Sequence, residues 1–474
     1  MSLDLVIRNA LVTTAEIERE PLEIGVADGE IVELALAIST ETAGEVDAAG
    51  KDVLPGFIDS HTHMELPVSG TVSSDDFFTG TIAAACGGIT TIIDFAGAVR
   101  GQSLTEALSI WHDRARAKAV IDYGFHMIVP ELEDWQLNQI PELVQSGISS
   151  VKCMMAYKRG PQGSSDGNLV NVFFKAQESG ALPMVHAENG DAIDATVDRF
   201  LAQRKTGPEW HYRSRPPALE AEAVHRAIEL AHYAGSPIYI VHLSSAAASV
   251  AVAEARARGR MVMAETCPQY LTLTSEEYER PGFEPAKFVC SPPLRGWIDQ
   301  KILWKGIGSG RLQLVASDHC PFNFHGQKDA GIESFDKIPN GIPTIQAGFS
   351  LVWSEGVVDR DMSVRRFVEI SSTNAAKIFG MYPKKGTIAV GSDADLVLFD
   401  GARQVTLSRE IPSPLVERVD YTPYEGRVVT GWPDTVISRG EIIVSRGSPV
   451  KPLPAGRGRF VARHGGDWEA WREV

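Results

Sequence analysis

Two histidines close an apolar run near the start of the chain. The run Val53-Leu54-Pro55-Gly56-Phe57-Ile58 leads directly into Asp59-Ser60-His61-Thr62-His63. Side chains at positions i and i+2 of a strand point the same way, so His61 and His63 present two imidazoles on one side of a strand end. Neutral imidazole is the commonest nitrogen ligand for zinc-like metals. Alone, such a pair is more often two ordinary histidines than a metal site, so the other strand ends must decide.

Four later apolar runs end in, or carry, residues of the same kind. These residues are Lys152, His186, His242 and Asp318. A single buried histidine at a strand end is usually structural, whereas four histidines in register with an aspartate predict a metal site. We interpret His126 and His319 as packing or supporting residues, with His319 orienting Asp318.

Lys152 is the unusual member of this set. A cationic amine beside metal ions would be repelled, so its pKa should fall and the neutral form should dominate. A neutral amine can take up carbon dioxide to give a carbamate, whose two oxygens can bridge two metals. One pair of histidines would then hold each metal, with Asp318 as an extra ligand. The alternative is a structural ion pair between Lys152 and Asp318 in a metal-free barrel.

The elements that must position these residues are short strands alternating with helices. Apolar runs predict eight strands, at 57–63, 89–95, 123–129, 148–157, 182–186, 238–242, 261–266 and 312–318. Helical patterns fall at 104–119, 219–234 and 246–258, with closing helices at 341–355 and 363–380. Eight strand–helix units in succession predict an α/β fold, a (β/α)8 TIM-like barrel, whose site forms at the carboxyl ends of the strands.

The chain ends carry a different pattern. Short strands with a hairpin signal at Asp28-Gly29 precede the barrel, and a matching strand–turn–strand pattern returns at 436–444. We predict a small β-sandwich domain formed by residues 1–54 and 385–450, a barrel over 55–384, and a C-terminal arm at 451–474 that packs on a neighbouring subunit. The alternative is two unrelated β extensions.

Composition limits the partners. The 474 residues have a formal net charge of −16, which argues against nucleic acid, because phosphate binding needs clustered Lys and Arg. The five cysteines are scattered with no CxxC pair, which suggests reduced thiols in a cytoplasmic protein. Neither a signal peptide nor an apolar run of about 18 residues is present, so we expect no membrane contact.

Several motifs together resemble the cyclic amidohydrolases: dihydropyrimidinase, also called hydantoinase, with allantoinase and dihydroorotase as relatives. The resemblance covers nearly the whole chain. The motifs are Asp59-Ser60-His61-Thr62-His63, Lys152-Cys153-Met154-Met155-Ala156-Tyr157-Lys158, Val185-His186-Ala187-Glu188-Asn189-Gly190-Asp191, Glu265-Thr266-Cys267-Pro268-Gln269-Tyr270-Leu271, Cys290-Ser291-Pro292-Pro293-Leu294-Arg295 and Ser317-Asp318-His319-Cys320-Pro321-Phe322.

The resemblance implies a metal-dependent hydrolase that opens a ring amide through a metal-bridging hydroxide. It implies that His61 and His63, with Asp318, hold one divalent ion, that His186 and His242 hold a second, and that carboxylated Lys152 bridges both, with zinc as the expected metal. Tyr157 would donate to the oxyanion and Asp318 would carry the proton. Ser291 and Asn340 would fix the ring amide. A homo-oligomer, tetramer or dimer, is expected.

Two rival functions remain open from the sequence. A catalytically dead relative that acts in assembly or signalling would have lost ligands, and none is lost here. The closer rival is an allantoinase or another cyclic-imide or ureide hydrolase. Met154 also departs from the form Lys-Val-Phe-Met-Ala-Tyr-Lys that is common in hydantoinases, which bears on the side-chain pocket.

The substrate class is predicted from one missing charge. Dihydroorotase-like relatives bind a ring carboxylate with Arg in His-x-His-x-Arg, and this chain has Glu65 at that position. An acid there would repel a carboxylate, and the apolar residues 66–68 and Phe95 would line a pocket for an uncharged substituent. Loops near 64–74, 95–101 and 156–166 would set specificity. We therefore expect neutral dihydropyrimidines or 5-substituted hydantoins as substrates, while Arg159 or Arg295 could in principle supply the missing charge.

Overall fold

The structure, a computed structural model, describes residues 2–68, 70–450, 453–466 and 468. Numbered in chain order, its strands are β1 (Leu5–Val12), β2 (Glu20–Ala27), β3 (Glu30–Ala35), β4 (Glu45–Asp47), β5 (Asp52–Pro55), β6 (Phe57–Thr62), β7 (Pro67–Val68), β8 (Thr71–Val72), β9 (Ile89–Gly97), β10 (Asp122–Ile128), β11 (Ser150–Met154), β12 (Leu182–His186), β13 (Ile238–Ile240), β14 (Val262–Thr266), β15 (Leu314–Val315), β16 (Leu396–Thr406), β17 (Val428–Ser438), β18 (Glu441–Ser445) and β19 (Ser448–Pro449).

The α-helices are α1 (Phe77–Cys86), α2 (Leu104–Lys118), α3 (Asp134–Leu137), α4 (Ile140–Gln145), α5 (Asp166–Ser179), α6 (Gly190–Ala202), α7 (Glu209–Ser214), α8 (Pro217–Tyr233), α9 (Ala246–Ala257), α10 (Pro268–Thr272), α11 (Trp297–Gly308), α12 (Gly348–Val352), α13 (Val364–Val368) and α14 (Asn374–Ile378). Short 3₁₀ helices lie at Ser275–Glu279, Glu284–Phe288, Lys328–Gly331 and Phe335–Lys337, and π-helical turns at Trp353–Val358 and Glu369–Thr373. None of the helices in the described residues is both long enough and apolar enough to cross a membrane.

Serine N-caps define where several helices begin. The side chain of Ser103 accepts a hydrogen bond from the Glu106 amide at the start of α2, and Ser165 and Ser245 act in the same way for α5 and α9. Each cap satisfies an amide that would otherwise lack a partner in the first helical turn. The helices predicted from periodicity at 104–119, 219–234 and 246–258 correspond to α2, α8 and α9 within two residues at each end.

Eight parallel strands form the barrel in the order β6-β9-β10-β11-β12-β13-β14-β15. Between β15 and β6 the ring is closed by a parallel bridge from Thr62 to His319 and by the His63 amide, which donates to the His319 carbonyl at 2.9 Å. All eight strands predicted from apolar runs are present, so the predicted barrel is confirmed.

Alternating side chains explain why the barrel strands are apolar throughout. Ile93 and Met184 point into the barrel, while their neighbours Ile92 and Val185 pack against the surrounding helices. Strands buried on both faces need apolar residues at every position. Phe379, just after α14, joins the interior cluster. Side chains therefore fill the barrel interior below the site.

Both chain ends build one continuous sheet beside the barrel. Strand β5 pairs in parallel with β1 and antiparallel with β16, which links the N-terminal strands to β17, β18 and β19. Val53 and Leu398 face the core of this sheet, whereas Leu54 and Phe399 face the barrel. The predicted β domain made from both ends is confirmed, and its nine strands are hydrogen-bonded into a single sheet.

A buried ion-pair network joins this domain to the barrel. The Lys385 ammonium lies 2.8 Å from Asp122 at the start of β10, 2.9 Å from Asp393 and 2.6 Å from Asp395. Arg439 also pairs with Asp122. Although three carboxylates converge here, the ammonium stands among them, so this cluster is an ion-pair network in the described structure.

The described part of the C-terminal arm lies on its own barrel. Phe460 forms a parallel bridge with Tyr123, and the buried Arg463 guanidinium donates to the Ser150 hydroxyl at 3.0 Å. The Trp468 indole donates to the carbonyl of the last residue of α14 at 2.9 Å. Contact between this arm and a neighbouring subunit stays a prediction.

Candidate active site

The six predicted ligand residues meet at the carboxyl end of the barrel. His61 lies in β6, Lys152 in β11 and His186 at the end of β12, while His63, His242 and Asp318 follow β6, β13 and β15. Five of the six line one pocket of about 720 Å3, and His61 lies buried beneath it.

Local backbone irregularities aim these side chains. Where β6 pairs with β9, Asp59 lies opposite Ile92 and Thr62 lies opposite Asp94, so β6 has one more residue than β9 in this interval. Such a β-bulge changes the direction of the side chains within it. Tyr157, His242 and Asp318 have φ angles of 57°, 39° and 50°. Non-glycine residues rarely adopt positive φ, and such strain concentrates at functional sites.

Asp318 and Lys152 both contact the first histidine pair. The Nε2 atoms of His61 and His63 each lie 3.2 Å from Oδ1 of Asp318. Nζ of Lys152 lies 3.0 Å from Nε2 of His61 and 4.0 Å from the centre of the Phe95 ring. An ion pair between Lys152 and Asp318, the metal-free alternative, is absent from the described residues.

The second histidine pair lies beside the first. The ring centres of His186 and His242 are 4.5 Å apart, and those of His61 and His242 are 5.4 Å apart. Nδ1 of His242 is buried and has no hydrogen-bond partner in the described structure. A buried polar atom without a partner is costly, so its presence here suits a ligand.

Ionisation favours metal binding at these side chains. Burial, with the charge of Lys152, holds the pKa of His61 well below its usual range, and burial also lowers the pKa values of His63 and His242. Burial would raise the pKa of Asp318, but the neighbouring histidines hold it well below its usual range. Burial lowers the pKa of Lys152 to about 8.

Neutral imidazoles and a carboxylate are a suitable donor set for a divalent transition metal. Candidate ligand atoms of His61, His242 and Asp318 lie within 4.8 Å of one another, so these residues fit such an ion.

Sequence reasoning gave no role to Glu265, which supports the histidines from β14. One carboxylate oxygen of Glu265 contacts Nδ1 of His61 and accepts a hydrogen bond from the His242 backbone amide at 3.1 Å. The other oxygen accepts a hydrogen bond from the Tyr239 hydroxyl at 2.7 Å. Glu265 therefore turns Nε2 of His61 towards Asp318 and Lys152, as an outer-shell carboxylate does for a ligand histidine. A carboxylate within a fully buried strand was the signal available in the sequence.

Glu188 and Arg215 form a second support that sequence reasoning missed. A carboxylate oxygen of Glu188 lies 2.8 Å from Nε2 of His186 and accepts a hydrogen bond from Nη1 of Arg215 at 2.6 Å. The Arg215 guanidinium also lies 5.4 Å from the centre of the Tyr157 ring. Both groups are buried, so this pair links the orientation of His186 to that of Tyr157.

Tyr157, Ser291 and Asn340 line the same pocket. The Asn340 amide donates to the Ser291 hydroxyl at 3.0 Å. Burial raises the pKa of Tyr157, and Arg215 and hydrogen bonding to Ser291 and Asn340 oppose that rise without reversing it. The phenol is therefore protonated at neutral pH and can donate a hydrogen bond.

The pocket wall is mainly apolar. Its apolar side chains come from the hairpin of β7 and β8 and from the ends of β10 and β11, namely Leu66, Pro67, Val68, Val72, Ile128 and Met154. Gln162 adds a polar group from the loop after β11. Lys152 is the only lysine or arginine among the lining residues described.

Several sequence interpretations of individual side chains were wrong. Glu65 turns away from the pocket, with its carboxylate 2.5 Å from Lys118. Phe95 is fully buried beneath His61 and His63 and so does not line the pocket wall. His319 contacts Asp75 at 3.0 Å and accepts the Thr344 amide, so it does not orient Asp318 through its ring.

The two arginines considered as carboxylate binders are engaged elsewhere. Arg159 pairs with Asp198 on the outer surface, and Arg295 is buried against Glu220 at 3.1 Å. Neither side chain reaches the pocket wall in the described structure.

Comparison with known proteins agrees with this geometry. A model of the amidohydrolase family matches residues 53–443. The chain belongs to this family. A D-hydantoinase from Geobacillus stearothermophilus is 46% identical over 461 residues, covering 97% of this amidohydrolase and 96% of the relative. A D-phenylhydantoinase from Escherichia coli O1:K1 / APEC is 38% identical and covers 97% and 98%.

A solved structure is equally similar. The crystal structure of dihydropyrimidinase from Brevibacillus agri NCHU1002 matches this amidohydrolase with a TM-score of 0.94 and 46% identity, over 97% of this chain and 99% of the other. The resemblance inferred from the motifs is therefore confirmed, and the chain lies in the hydantoinase and dihydropyrimidinase branch. Membership of the family implies dependence on divalent metal.

Proposed function

We propose that this amidohydrolase opens the rings of neutral dihydropyrimidines or 5-substituted hydantoins to give N-carbamoyl amino acids. Membership of the hydantoinase branch makes it a cyclic amidohydrolase. The observation that carries the proposal is a cluster of four histidines, Asp318 and Lys152 at the base of a mainly apolar pocket.

Two divalent ions, zinc in our proposal, would be held by this cluster. His61 and His63 with Asp318 would hold one, and His186 and His242 the other. Bound divalent ions lower the pKa of water and polarise a carbonyl. Glu265 and Glu188 hold His61 and His186 in orientation, as the contacts above indicate.

Lys152 would act as a carbamate, N6-carboxylysine. Its amine is fully buried and contacts no carboxylate among the described residues. In carbamate formation the amine nitrogen bonds to the carbon of carbon dioxide and loses a proton. The product carries a negative charge and two oxygens, a bridging ligand that the free amine cannot supply.

The remaining roles follow from the position of each side chain. Ser291 and Asn340 would hold the ring amide or imide, largely through backbone groups. Tyr157 would donate its proton in a hydrogen bond to the developing oxyanion. Asp318 would accept a proton from water and pass it to the leaving ring nitrogen. Ring opening adds the elements of water across the C–N bond.

The pocket favours an uncharged substrate. A ring carboxylate is best recognised by a bidentate guanidinium, and no arginine lines the described pocket. The apolar wall from Leu66 to Val68 and Met154 suits a hydrophobic substituent, consistent with the name of the E. coli relative. An allantoinase or another ureide hydrolase of the same superfamily is the second candidate.

A substrate panel tests this proposal. We expect kcat/KM for 5-phenylhydantoin and dihydrouracil to exceed that for dihydroorotate by about a hundredfold or more, because an unpaired charge in an apolar pocket is strongly disfavoured. Allantoin serves as the third comparison. A preference for dihydroorotate or allantoin would contradict the substrate class proposed here.

Assembly and location are part of the same proposal. We propose a homo-oligomer, tetramer or dimer, in the cytoplasm. All five cysteines are unpaired and buried, which suits a reducing compartment. Light scattering of the purified protein measures the oligomer size directly.

A further inference from the structure

A buried lysine contacts the two segments that carry Ser291 and Asn340. Lys328 opens the 3₁₀ helix Lys328–Gly331 and has no exposed surface. Its amine donates to the carbonyl oxygens of Val289 and Pro339, each at 3.0 Å.

The two carbonyls belong to the segments that present the ring-binding residues. Val289 lies two positions before Ser291, and Pro339 directly precedes Asn340. The same segments are joined by the Gly341 amide, which donates to the Val289 carbonyl at 3.0 Å, and by the contact between Asn340 and Ser291. Lys328 thus connects both segments and does not itself line the pocket.

Burial of the Lys328 amine without a counter-ion lowers the stability of the folded protein. Among the described residues it forms no ion pair with a carboxylate, and burial lowers its pKa to about 7. The nearby Cys290 thiol does not supply a counter-ion, because burial raises its pKa to about 12. Burying an amine costs free energy unless its hydrogen bonds are made, and here both carbonyls accept from it. An apolar side chain of similar length would fill the space without that cost, but would leave the two carbonyls unbridged.

We propose that Lys328 is a positioning residue for substrate binding, which fixes the separation of Ser291 and Asn340 through the carbonyls of Val289 and Pro339. The inference rests on the proposed function, because it takes Ser291 and Asn340 as the groups that hold the ring amide. Lys328 itself does not touch the pocket, so it acts through these two residues.

The test is a separation of KM from kcat in Lys328→Met. This variant keeps the length and apolar stem of the side chain but removes its donors. We expect KM for 5-phenylhydantoin to rise about tenfold, the size expected from one or two lost buried hydrogen bonds. The metal content should stay at the wild-type value, and kcat should change much less than KM. Lys328→Gln, which keeps N–H donors, should recover part of the loss and replaces Lys328→Met if that variant does not fold.

Lys385→Met is the matched control, because Lys385 is also a buried lysine but lies in the ion-pair network at the opposite end of β10 from the site. Its KM should equal that of the wild type. An unchanged KM in Lys328→Met and Lys328→Gln, or an equal rise in Lys385→Met, would overturn the inference. A wild-type protein inactive on every cyclic ureide would instead refute the proposed function, so the two failures are distinguishable.

Discussion

Nζ of Lys152 lies 3.0 Å from Nε2 of His61, the nitrogen that also faces Asp318. Glu265 occupies the other nitrogen of the same ring. His61 is thus held between a buried carboxylate on one side and a buried amine on the other. Two positive charges at this distance would repel each other, so the arrangement favours a neutral imidazole and a modified or neutral lysine.

Lys152→Ala should abolish most activity and lower the metal content. The substitution removes the group that would carry the bridging carboxylate, and small carboxylic acids supplied in solution should restore part of the rate. Activity assays and elemental analysis with and without propionate provide the measurement. Lys152→Arg is a useful comparison, because a guanidinium cannot form this carbamate. Wild-type activity in Lys152→Ala would exclude a required carbamate.

Asp318→Asn should lower kcat by about a hundredfold or more, since general acid–base catalysis contributes about 10² to 10⁴. The amide keeps the size of the side chain but removes its charge and its capacity to accept a proton. Metal content must be measured in the same sample, because Asp318 also contacts His61 and His63. A near-normal rate with full metal content would assign the proton transfer to another group.

Elemental analysis should find about two divalent ions per chain in protein purified without chelator. Removal of metal should abolish activity and lower Tm, because a ligand bound only by the folded state stabilises it. His242→Asn should lose metal, whereas His225→Asn, at an exposed position on α8, should retain it. Full activity in a metal-free preparation would contradict this prediction.

Lys385→Met should lower the free energy of unfolding by roughly 3–5 kcal/mol, because it leaves the buried Asp395 without its ammonium partner and leaves Asp122 and Asp393 with one cation each. Burial lowers the pKa of Lys385, but the charges of Asp395 and Asp393 raise it by more. The net pKa of Lys385 therefore lies above its ordinary value of 10.5. Burial raises the pKa of Asp393, but Lys385 and Lys384 lower it to a net value below 3.8.

The pH dependence of this difference follows from the two shifts. The contribution of Lys385 is complete below about pH 10.5 and is lost as pH rises through its folded-state pKa. The contribution of Asp393 is complete above about pH 3.8 and is lost as pH falls through its folded-state pKa. Denaturant titrations of wild type and variant should therefore differ by a constant amount near neutrality. A difference that changes steeply between about pH 6 and 8 would contradict the assignment to this network.

The strands and the ligand positions could be predicted because their causes are local. Apolar runs of the right length identify strands buried on both faces, and parallel strands bring their carboxyl ends to one edge. His186 ends β12, so its place at the site follows from strand register alone.

Side-chain direction beyond the strand ends could not be predicted in the same way. Glu65 has a φ angle of 53°, and this local turn sends its carboxylate to Lys118 instead of the pocket. The support of His61 by Glu265 crosses from β6 to β14. Partners this distant in sequence are fixed by closure of the barrel, which a single sequence does not reveal.

The nine-stranded sheet built from both chain ends also constrains the order in which the chain can fold during synthesis. Strand β5 needs β16 as its antiparallel neighbour, and the entire barrel lies between them in the chain. On the ribosome, β1 to β5 emerge first and must wait with one edge unpaired until β16 appears, a contact of high sequence separation that forms slowly. On that edge β5 itself begins with the charged Asp52 and ends with Pro55, which has no amide to donate, and both features disfavour pairing with another chain.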